Sequence, residues 1–597
     1  MKRLFAPKFR SVAVRLCVAS VFYIGLAIST HLATEARGQQ KKSADRAATS
    51  GPRTTVPAHT PQLIDLTAST GIAFQHQASP DQKYIVESMS GGVALIDFDG
   101  DGWLDIYFTN APSVAMTLAG KKAKSVLYRN NHDGTFTDVT DKAGVGYPCW
   151  AMGVAVGDYN NDGRPDLIVS CFGGVVLYRN NGDGTFSDVT KSTGLDKDSG
   201  WATGVAFGDY DGDGNSDLFV AHYVDLDLND LPSFGSRKTC QYHDVAVQCG
   251  PRGLKGSPDA LYHNDGNGTF TEVAKQAGVQ DANKFFGLGV VWSDFDNDGK
   301  LDLFVANDGE PNYLYRNLGD GRFQDAALDG GVAVSEEGVE QANMGVAVGD
   351  YLHTGRMSIF VTHFSDEYAT LYRNDGGMSF TDVSHSSGIA RATVPFVGWG
   401  DAFLDLDNSG WLDIIMVNGH VYPQVDDAKM GTAYREPKLV FQNNRDGTFT
   451  NASAQRGSAI AVPQVSRGLA VGDLFNRGKL DVVIENLTGA PMILEAKSDP
   501  SHHWVSFELE GAPSNRLALN ARVRVTTGKL QQLAEIRSGG SYLSQSDLRL
   551  HFGLENATRI DKVEVIWPNG NTQIFQDVAT DRFYHLKQGG MLTMALR

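Results

Sequence analysis

The chain has 597 residues, of which 42% are hydrophobic and 20% are charged, a composition typical of folded soluble proteins. This length predicts several domains or one large repeat array rather than a single core. The formal net charge of −18 argues against nucleic acid as a partner, and the 66 glycines favour turns and strands over long helices.

Residues 1–38 have the pattern of a cleaved signal peptide. A basic start precedes a mostly apolar run from Leu16 to Thr30, which is short for a membrane span. An uncleaved anchor is the alternative. Residues 39–60 are polar and predict a disordered linker. We therefore expect a secreted, periplasmic or extracellular protein with no membrane span after cleavage.

A nine-residue acidic motif recurs along residues 61–497. The first copy is DFDGDGWLD, which begins at Asp97. Close copies begin at Asp158, Asp209, Asp294 and Asp405, and two weaker copies begin at Asp350 and Asp473. Each unit also carries a Gly-rich apolar run, an apolar strand, a segment such as VLYRN and a last strand such as DGTFTDVT. Short strands separated by Asp-Gly turns are all-β signals. Four strands per unit and seven units predict an all-β, seven-bladed β-propeller.

The first and last parts of this repeat region complement each other. The seventh unit lacks a final strand after PMILE, which begins at Pro491. The stretch PQLIDLTASTGI from Pro61 resembles GTFTDVTDKAGV from Gly134. We expect the start of the chain to supply the outer strand of the last blade and to close the ring, with a chance similarity as the alternative.

The acidic motif indicates a calcium-binding loop. Oxygen ligands at positions 1, 3, 5 and 9 and a backbone carbonyl at position 7 can surround a hard cation, and glycine at position 6 permits a sharp turn. Magnesium is less suitable because it demands tighter octahedral geometry. Solvated turns are the alternative, but the recurrence in register argues against it. The loop is not an EF-hand, since strands flank it and its last acid comes too early.

Five loops are predicted to bind four or five Ca²⁺ ions, with weaker binding in the last because Ser409 occupies position 5. The predicted ligands, with the position-7 residues acting through their carbonyls, are Asp97, Asp99, Asp101, Trp103, Asp105, Asp158, Asn160, Asp162, Arg164, Asp166, Asp209, Asp211, Asp213, Asn215, Asp217, Asp294, Asp296, Asp298, Lys300, Asp302, Asp405, Asp407, Ser409, Trp411 and Asp413. No tight site is expected where Leu352 and Ser358 replace acids. None is expected at Asp473, where Arg477 can supply its own positive charge.

Four cysteines follow the signal region, and Cys17 lies within it. Cys240 and Cys249 flank a short segment of an insertion in the third unit, and we expect them to form a disulfide in an oxidising compartment. Cys149 and Cys171 could form a second disulfide or stay as buried thiols.

The repeats resemble FG-GAP/VCBS repeats, the units of the integrin α-chain propeller. The segments ARVRVTTG from Ala521, IRSGGSYLSQSDLRLHFGL from Ile536 and DKVEVIWPNG from Asp561 resemble the ASPIC/UnbV domain. Together they are similar to the cartilage acidic protein family and its bacterial relatives, although NRLALN before ARVRV lacks the Asp and Gly that the family carries there. The resemblance implies a secreted calcium-binding propeller for adhesion or recognition, followed by a β domain.

A recognition face is predicted opposite the calcium loops. Strand starts and strand ends there carry aromatic, amide and imidazole groups that suit a glycan or protein ligand. The alternative is that these residues only pack and cap loops. The predicted ligand-face residues are Trp150, Trp201, His222, Asn307, Asp308, His363 and His420, and the insertion at residues 222–260 should overhang them.

Two other functions stay open. A propeller-based polysaccharide hydrolase or lyase would need His222 with His363 or Asp308, but no catalytic motif is present and we expect no enzyme activity. A structural role in an envelope or secreted assembly would use the C-terminal domain. That domain, residues 498–597, alternates apolar and polar residues and predicts a small β-sandwich or barrel. We expect a monomer.

Overall fold

The computed structural model describes residues 61–79, 81–428, 430–497 and 499–595. The predicted signal peptide, the predicted linker and Cys17 lie outside the described residues. All described residues belong to one compact unit. The strands before and after residue 498 form different sheets, yet both sets belong to this unit.

Seven four-stranded antiparallel sheets, here called blades 1 to 7, are built from residues 62–497. Blade 1 contains β2 (Val93–Ile96), β3 (Asp105–Phe108), β4 (Val126–Asn130) and β5 (Phe136–Asp138). Blade 2 contains β6 (Trp150–Gly157), β7 (Asp166–Phe172), β8 (Gly174–Asn180) and β9 (Phe186–Asp188). Blade 3 contains β10 (Ala202–Gly208), β11 (Asp217–His222), β14 (Ala260–Asn264) and β15 (Phe270–Glu272). A separate two-stranded hairpin interrupts blade 3 and consists of β12 (Gln241–Tyr242) and β13 (Val245–Ala246).

The remaining blades repeat the same order. Blade 4 contains β16 (Gly287–Ser293), β17 (Asp302–Asn307), β18 (Tyr313–Asn317) and β19 (Phe323–Asp325), and blade 5 contains β20 (Val346–Gly349), β21 (Ser358–Val361), β22 (Thr370–Gly376) and β23 (Ser379–Asp382). Blade 6 contains β24 (Gly398–Leu404), β25 (Asp413–Asn418), β26 (Leu439–Asn443) and β27 (Phe449–Asn451). Blade 7 contains β28 (Val465–Gly472), β29 (Asp481–Thr488), β30 (Met492–Lys497) and β1 (Gln62–Asp65).

The blades close into a ring. The first strands contact one another in the cycle β2, β6, β10, β16, β20, β24, β28 and back to β2. Strand β1, from the start of the described chain, pairs antiparallel with β30 from Gln62 with Lys497 to Asp65 with Leu494. The predicted closure of the ring by the chain start is therefore confirmed, as is the all-β, propeller-type fold.

The first strands are almost fully buried: all eight residues of β6 are buried, and in β24 only Phe403 is partly exposed. Both faces of such a strand are covered by neighbouring blades, which explains why its sequence is a continuous apolar run rather than an alternating one. The apolar clusters accordingly combine residues of adjacent blades.

Helices are short and lie in the connections. The α-helices are Val114–Leu118, Thr140–Ala143, Thr190–Thr193, Ala274–Ala277, Ala327–Gly330, Ala390–Thr393, Val425–Ala428 and Ser458–Ala461, and the 3₁₀ turns are Thr67–Ser69, Ile85–Glu87, Leu195–Lys197, Lys238–Cys240 and Ser453–Gln455. No helix in the described part of the chain is long and apolar enough to cross a bilayer.

The C-terminal domain consists of two four-stranded sheets. One has the order β34 (Leu550–Glu555), β31 (His503–Glu510), β37 (Arg582–Lys587) and β38 (Thr593–Met594), and the other has β33 (Leu530–Glu535), β32 (Arg522–Thr527), β35 (Arg559–Ile566) and β36 (Thr572–Ala579). Val505 and Phe507 of the first sheet share a buried cluster with Val523 and Val563 of the second. The two sheets thus pack against each other, as in the predicted sandwich.

One segment of this domain enters the ring. Residues 535–547, here called the channel segment, hydrogen-bond to the first strand of every blade. The bonds in blade order are Leu95 N to Gln545 O (2.9 Å), Val154 N to Leu543 O (3.1 Å), Phe207 N to Ser538 Oγ (3.1 Å), Ser293 Oγ to Glu535 Oε2 (2.7 Å), Val346 N to Ser541 O (3.0 Å), Asp401 N to Ser541 Oγ (3.0 Å) and Asp547 N to Val471 O (3.0 Å). The segment thereby satisfies backbone groups that would otherwise point into the channel unpaired.

Glycines make this approach possible. A Cβ atom on Gly92 would lie 2.2 Å from the carbonyl oxygen of Leu543, and one on Gly153 would lie 2.7 Å from the Cβ of the same leucine. Neither distance leaves room for a side chain. Glycine is therefore required at positions 92 and 153 for the contact between the first strands and the channel segment.

Candidate calcium loops and the opposite face

Six of the seven loops share one hydrogen-bonded frame, and in the loop at Asp209 the amide of Gly212 replaces that of Asp213 as donor to the first aspartate. In the first loop, Asp97 Oδ1 accepts from the amide of Asp101 (3.1 Å) and Oδ2 accepts from the amide of Gly102 (2.9 Å). The glycine at position 6 donates to the first aspartate in all seven loops, and these glycines have φ values of 70° to 89°. Glycine at this position is therefore needed for the turn itself, whether or not a cation binds.

The acid at position 9 also has a structural role. Asp105 Oδ2 accepts from the amide of Phe98 (3.2 Å), and Oδ1 accepts from the amide of Asn130 on the third strand (2.8 Å). Equivalent pairs of bonds are made by Asp166, Asp217 and Asp302. The motif thus fastens the loop to the blade through its end positions.

The carboxylates converge where the sequence predicts cation ligands. Oxygen atoms within 4.8 Å of one another come from three acids in each of three loops: Asp97, Asp99 and Asp101; Asp209, Asp211 and Asp217; Asp294, Asp296 and Asp302. Calcium binds oxygens at about 2.3–2.6 Å, so one ion fits between atoms at this separation. In the loop at Asp158, Asn160 Nδ2 donates to Asp162 Oδ2 (2.9 Å).

Burial and the charges of neighbouring carboxylates raise the pKa values of Asp209 and Asp302. Burial is the main cause for Asp302, whose pKa rises to about 8. Burial followed by the charges of Asp217 and Asp213 raises the pKa of Asp209 to about 7. A group in this situation is stabilised by a nearby cation, so the electrostatics of the loops favour cation binding.

Basic side chains from the third strands approach three of the loops. These basic residues were not among the predicted site residues. Arg129 Nε donates to Asp99 Oδ2 (2.6 Å), and Arg316 Nε donates to Asp296 Oδ2 (2.9 Å). His263 Nδ1 lies 3.2 Å from Asp217 Oδ1, and this carboxylate raises the pKa of His263 to about 9. The recurrence of YRN or YHN in register was the available sequence signal.

The loop at Asp473 contains an internal cation. The guanidinium of Arg477 pairs with Asp481 (2.8 Å) and with Glu495. The frame around Asp473 is nevertheless the one that six of the loops share. The guanidinium of Arg477, which was predicted to supply the positive charge of this loop, therefore pairs with Asp481, the acid at position 9.

The C-terminal domain lies over the loops. Arg522 Nη1 lies 3.1 Å from Asp294 Oδ2, and Arg549 Nη2 donates to the carbonyl of Asp473 (3.0 Å). The amide of Asn515, in the NRLALN segment, donates to the carbonyl of Gly214 (3.0 Å). The predicted calcium loops are thus at the interface between the ring and the C-terminal domain.

The predicted ligand face differs from expectation. Its residues lie in blades 2 to 6, but all seven are buried: Trp150, Trp201, His222, Asn307, Asp308, His363 and His420. Trp150 and Trp201 belong to one apolar cluster with Tyr542 and Leu543 of the channel segment. These side chains form a core, so the expectation that they offer an open surface is wrong.

Two segments cover this face. Val86 and Met89, in the connection between β1 and β2, belong to the same apolar cluster. Leu226, Leu231 and Leu254 of the blade 3 insertion pack against this cluster. In the hairpin of the insertion, Tyr242 Oη hydrogen-bonds to Ser365 Oγ (2.8 Å) and donates to Asp366 Oδ2 (2.9 Å). The insertion overhangs the face, as predicted, and seals it. A sequence pattern cannot show such coverage, because the covering residues are not part of the repeat.

The candidate catalytic groups have separate partners. His222 Nε2 lies 3.0 Å from Asp198 Oδ1, and His363 Nε2 bonds to Thr370 Oγ1 (2.9 Å). Asp308 accepts from Tyr223 Oη. No hydrogen bond joins His222 to His363 or Asp308 within the described ranges.

Both pairs of cysteines form disulfides. Cys240 is bonded to Cys249 in the insertion, and Cys149 is bonded to Cys171 at the end of blade 2. The first bond closes the insertion over the buried face, and the second joins the start of β6 to the end of β7.

Comparison with known proteins agrees with this architecture. Residues 97–169, 163–220, 242–305 and 294–361 match the FG-GAP-like repeat, and residues 511–592 match ASPIC and UnbV. The chain carries FG-GAP-like repeats followed by an ASPIC and UnbV domain, and the predicted resemblance is confirmed. It is homologous to cartilage acidic protein 1, with 24% identity to the mouse protein and 25% to the human one. Each match covers 84% of this chain, and they cover 74% of the mouse and 63% of the human protein.

Solved structures show weaker similarity. The lectin BP39L of Burkholderia pseudomallei is 10% identical with a TM-score of 0.38, covering 68% of this chain and 98% of the lectin. An Agrocybe aegerita lectin specific for non-reducing terminal N-acetylglucosamine is 16% identical with a TM-score of 0.36, covering 64% and 89%. PorZ of Porphyromonas gingivalis is 10% identical with a TM-score of 0.40, covering 85% and 60%.

Proposed function

We propose that the protein is an extracellular calcium-binding propeller that recognises or adheres to a glycan or protein ligand. The convergence of three carboxylates in each of three loops carries the calcium part of the proposal. Homologues named for cartilage, a tissue rich in extracellular matrix, support the location.

The filled channel supports recognition over catalysis. The channel segment bonds to all seven first strands and occupies the ring centre, where a propeller enzyme would place its substrate. What is left is a rigid body whose outer surfaces can meet a ligand, and rigid elements are suited to precise binding sites. A hydrolase or lyase is the alternative function, and release of reducing ends from polysaccharides would reveal it.

Calcium content tests the first part of the proposal. We expect four or five ions per mature chain by elemental analysis and a large fall in Tm after chelation, because a ligand bound only by the native state stabilises it. The double variant Asp209→Asn, Asp211→Asn should lose one ion, since both acids belong to one cluster of carboxylate oxygens.

The matched control is Thr354→Ala, in a loop predicted to lack a tight site. Its calcium content should equal that of the parent protein. A parent protein with no calcium and an unchanged melt would overturn the calcium proposal, leaving the acidic loops as solvated turns.

One observation favours the structural alternative. Ile574, Met591 and Met594 are large apolar residues that the C-terminal domain leaves exposed. Gln573 Nε2 donates to the carbonyl of Gly590 (3.0 Å), which brings Met591 close to β36. An assembly role would use this end of the domain, and the double variant Ile574→Ser, Met591→Ser should then abolish co-purification of a partner from the secreted fraction.

A further inference from the structure

A cavity with a volume of about 700 Å³ lies at blades 1 and 2, beside the sealed face. Its walls come from the connection after β3, from the loops that flank the Cys149–Cys171 disulfide, and from the turn after β9. This volume falls within the range typical of ligand pockets. The groove is built on two blades and a disulfide, so its shape is fixed by rigid elements.

Three lysines border the groove. Lys121 and Lys122 belong to the blade 1 connection, Lys191 belongs to the turn after β9, and all three are exposed. Across the described ranges, none of them has a carboxylate within ion-pair distance. By contrast, nearby Lys124 pairs with Asp141 (2.9 Å). A group of unpaired lysines on a chain of net charge −18 is a local attraction for an anionic ligand.

Three acids line the same groove. Asp198 is buried between His222 (3.0 Å) and Tyr262 (3.0 Å). Asp188 accepts from the amide and hydroxyl of Thr190 (3.0 and 2.6 Å). Asp196 is exposed. Asp188 is exposed as well, so the two exposed acids offset two of the three lysine charges and leave a small positive excess.

Aromatic groups complete the groove. The side chain of Tyr147 is 52% exposed, and Phe172 is half-buried. The buried indole Nε1 of Trp150, which also lines the groove, has no hydrogen-bond partner among the described residues. An exposed ring beside polar groups suits the flat apolar face and the hydroxyls of a sugar.

Building on the proposed recognition function, we infer that this groove binds an acidic polysaccharide. Lys121, Lys122 and Lys191 would pair with carboxylate or sulfate groups, and Tyr147 would stack on a sugar ring. A polysaccharide fits better than an acidic protein, because Tyr147 and Phe172 line a cavity of about 700 Å³, within the size range of small-ligand sites, rather than a flat patch.

Binding to three probes tests the inference: polygalacturonate for carboxylates, dextran sulfate for sulfates and unmodified dextran as the neutral probe. We expect binding of one or both acidic probes, weakening as salt rises, and no binding of dextran. The triple variant Lys121→Gln, Lys122→Gln, Lys191→Gln should weaken binding by about tenfold or more. Tyr147→Ala should weaken it without changing the slope of affinity against salt.

The charge-matched control is Lys142→Gln, Lys275→Gln, Lys529→Gln, at exposed lysines outside the groove. Binding unchanged in the groove variants, or lowered equally in the control, would overturn the groove while leaving recognition intact. A protein that binds none of the three probes would overturn the acidic-polysaccharide inference. The proposed recognition function fails separately, if broad glycan and protein arrays also give no ligand.

Discussion

At the scale of single residues, one unusual group is a buried acid in the ring wall. Asp401 is 1% exposed, and neither of its carboxylate oxygens has a hydrogen-bond partner among the described residues. It lines a cavity of about 190 Å³ between blade 6 and the C-terminal domain. Burial raises the pKa of Asp401 well above its usual value.

The raised pKa predicts how stability depends on pH. Because the folded state holds the proton more tightly than the unfolded state, Asp401 lowers the free energy of unfolding progressively as pH rises above about 4 towards the folded-state pKa. Asp401→Asn removes this loss and should stabilise the protein by about 1.4 kcal/mol at pH 5, roughly one unit above the pKa of an unfolded aspartate, and by more at pH 8. Urea unfolding in excess calcium at both pH values measures it.

A suitable control is Asp141→Asn at an exposed aspartate, which should change neither value by more than about 0.5 kcal/mol. If Asp401→Asn destabilises the protein equally at pH 5 and pH 8, then the carboxylate has a partner, such as a bound cation, that the neutral amide cannot replace.

At the scale of elements, the sequence predicted the repeated parts of the fold and missed the unrepeated contacts. Periodic apolar runs and Asp-Gly turns identified the blades, and the similarity of two strands identified the closure by β1. The channel segment was visible as SGGSYLSQSD, but no local pattern shows that it crosses a ring. For the same reason, Trp150 and Trp201 looked like surface residues although other segments bury them.

The channel segment should contribute strongly to stability through Tyr542. Its ring is fully buried and packs edge-on against Trp399 (4.6 Å between centroids), and its hydroxyl donates to the carbonyl of Met89 (2.6 Å). Tyr542→Ala should lower the free energy of unfolding by about 3–5 kcal/mol because it leaves a cavity. Tyr542→Phe removes only the hydrogen bond and should cost about 1 kcal/mol.

Chemical denaturation of the full chain measures these effects, and Tyr147→Ala is the matched control because that ring is 52% exposed. Equal, small losses for Tyr542→Ala and Tyr147→Ala would show that the segment docks loosely and that the ring is stable without it.

At the scale of the whole molecule, the acidic loops are the surface on which the C-terminal domain docks. Arg522 pairs with Asp294 at that interface, and Arg549 donates to the loop at Asp473. If the proposed calcium ions bind, the loops have two sources of positive charge, those cations and the basic residues of the docked domain. On one loop the two positive charges repel each other, so their electrostatic coupling is unfavourable. Favourable coupling would come from loop geometry, because the amide of Asn515 donates to the carbonyl of Gly214, and a cation that holds this loop in place would also stabilise the docked domain.

This coupling predicts one cooperative unfolding unit. In hydrogen exchange at increasing denaturant, the amides of Val154 and Val346 in the first strands should open together with those of β32 and β35, because the channel segment hydrogen-bonds to both first strands. Chelation should raise exchange in both regions by the same factor, since a shared opening has a single free energy. If β32 and β35 open at lower denaturant while the first strands stay protected, the two parts unfold independently. Calcium would then stabilise the ring alone, and the interface would be a docking surface without energetic coupling to the loops.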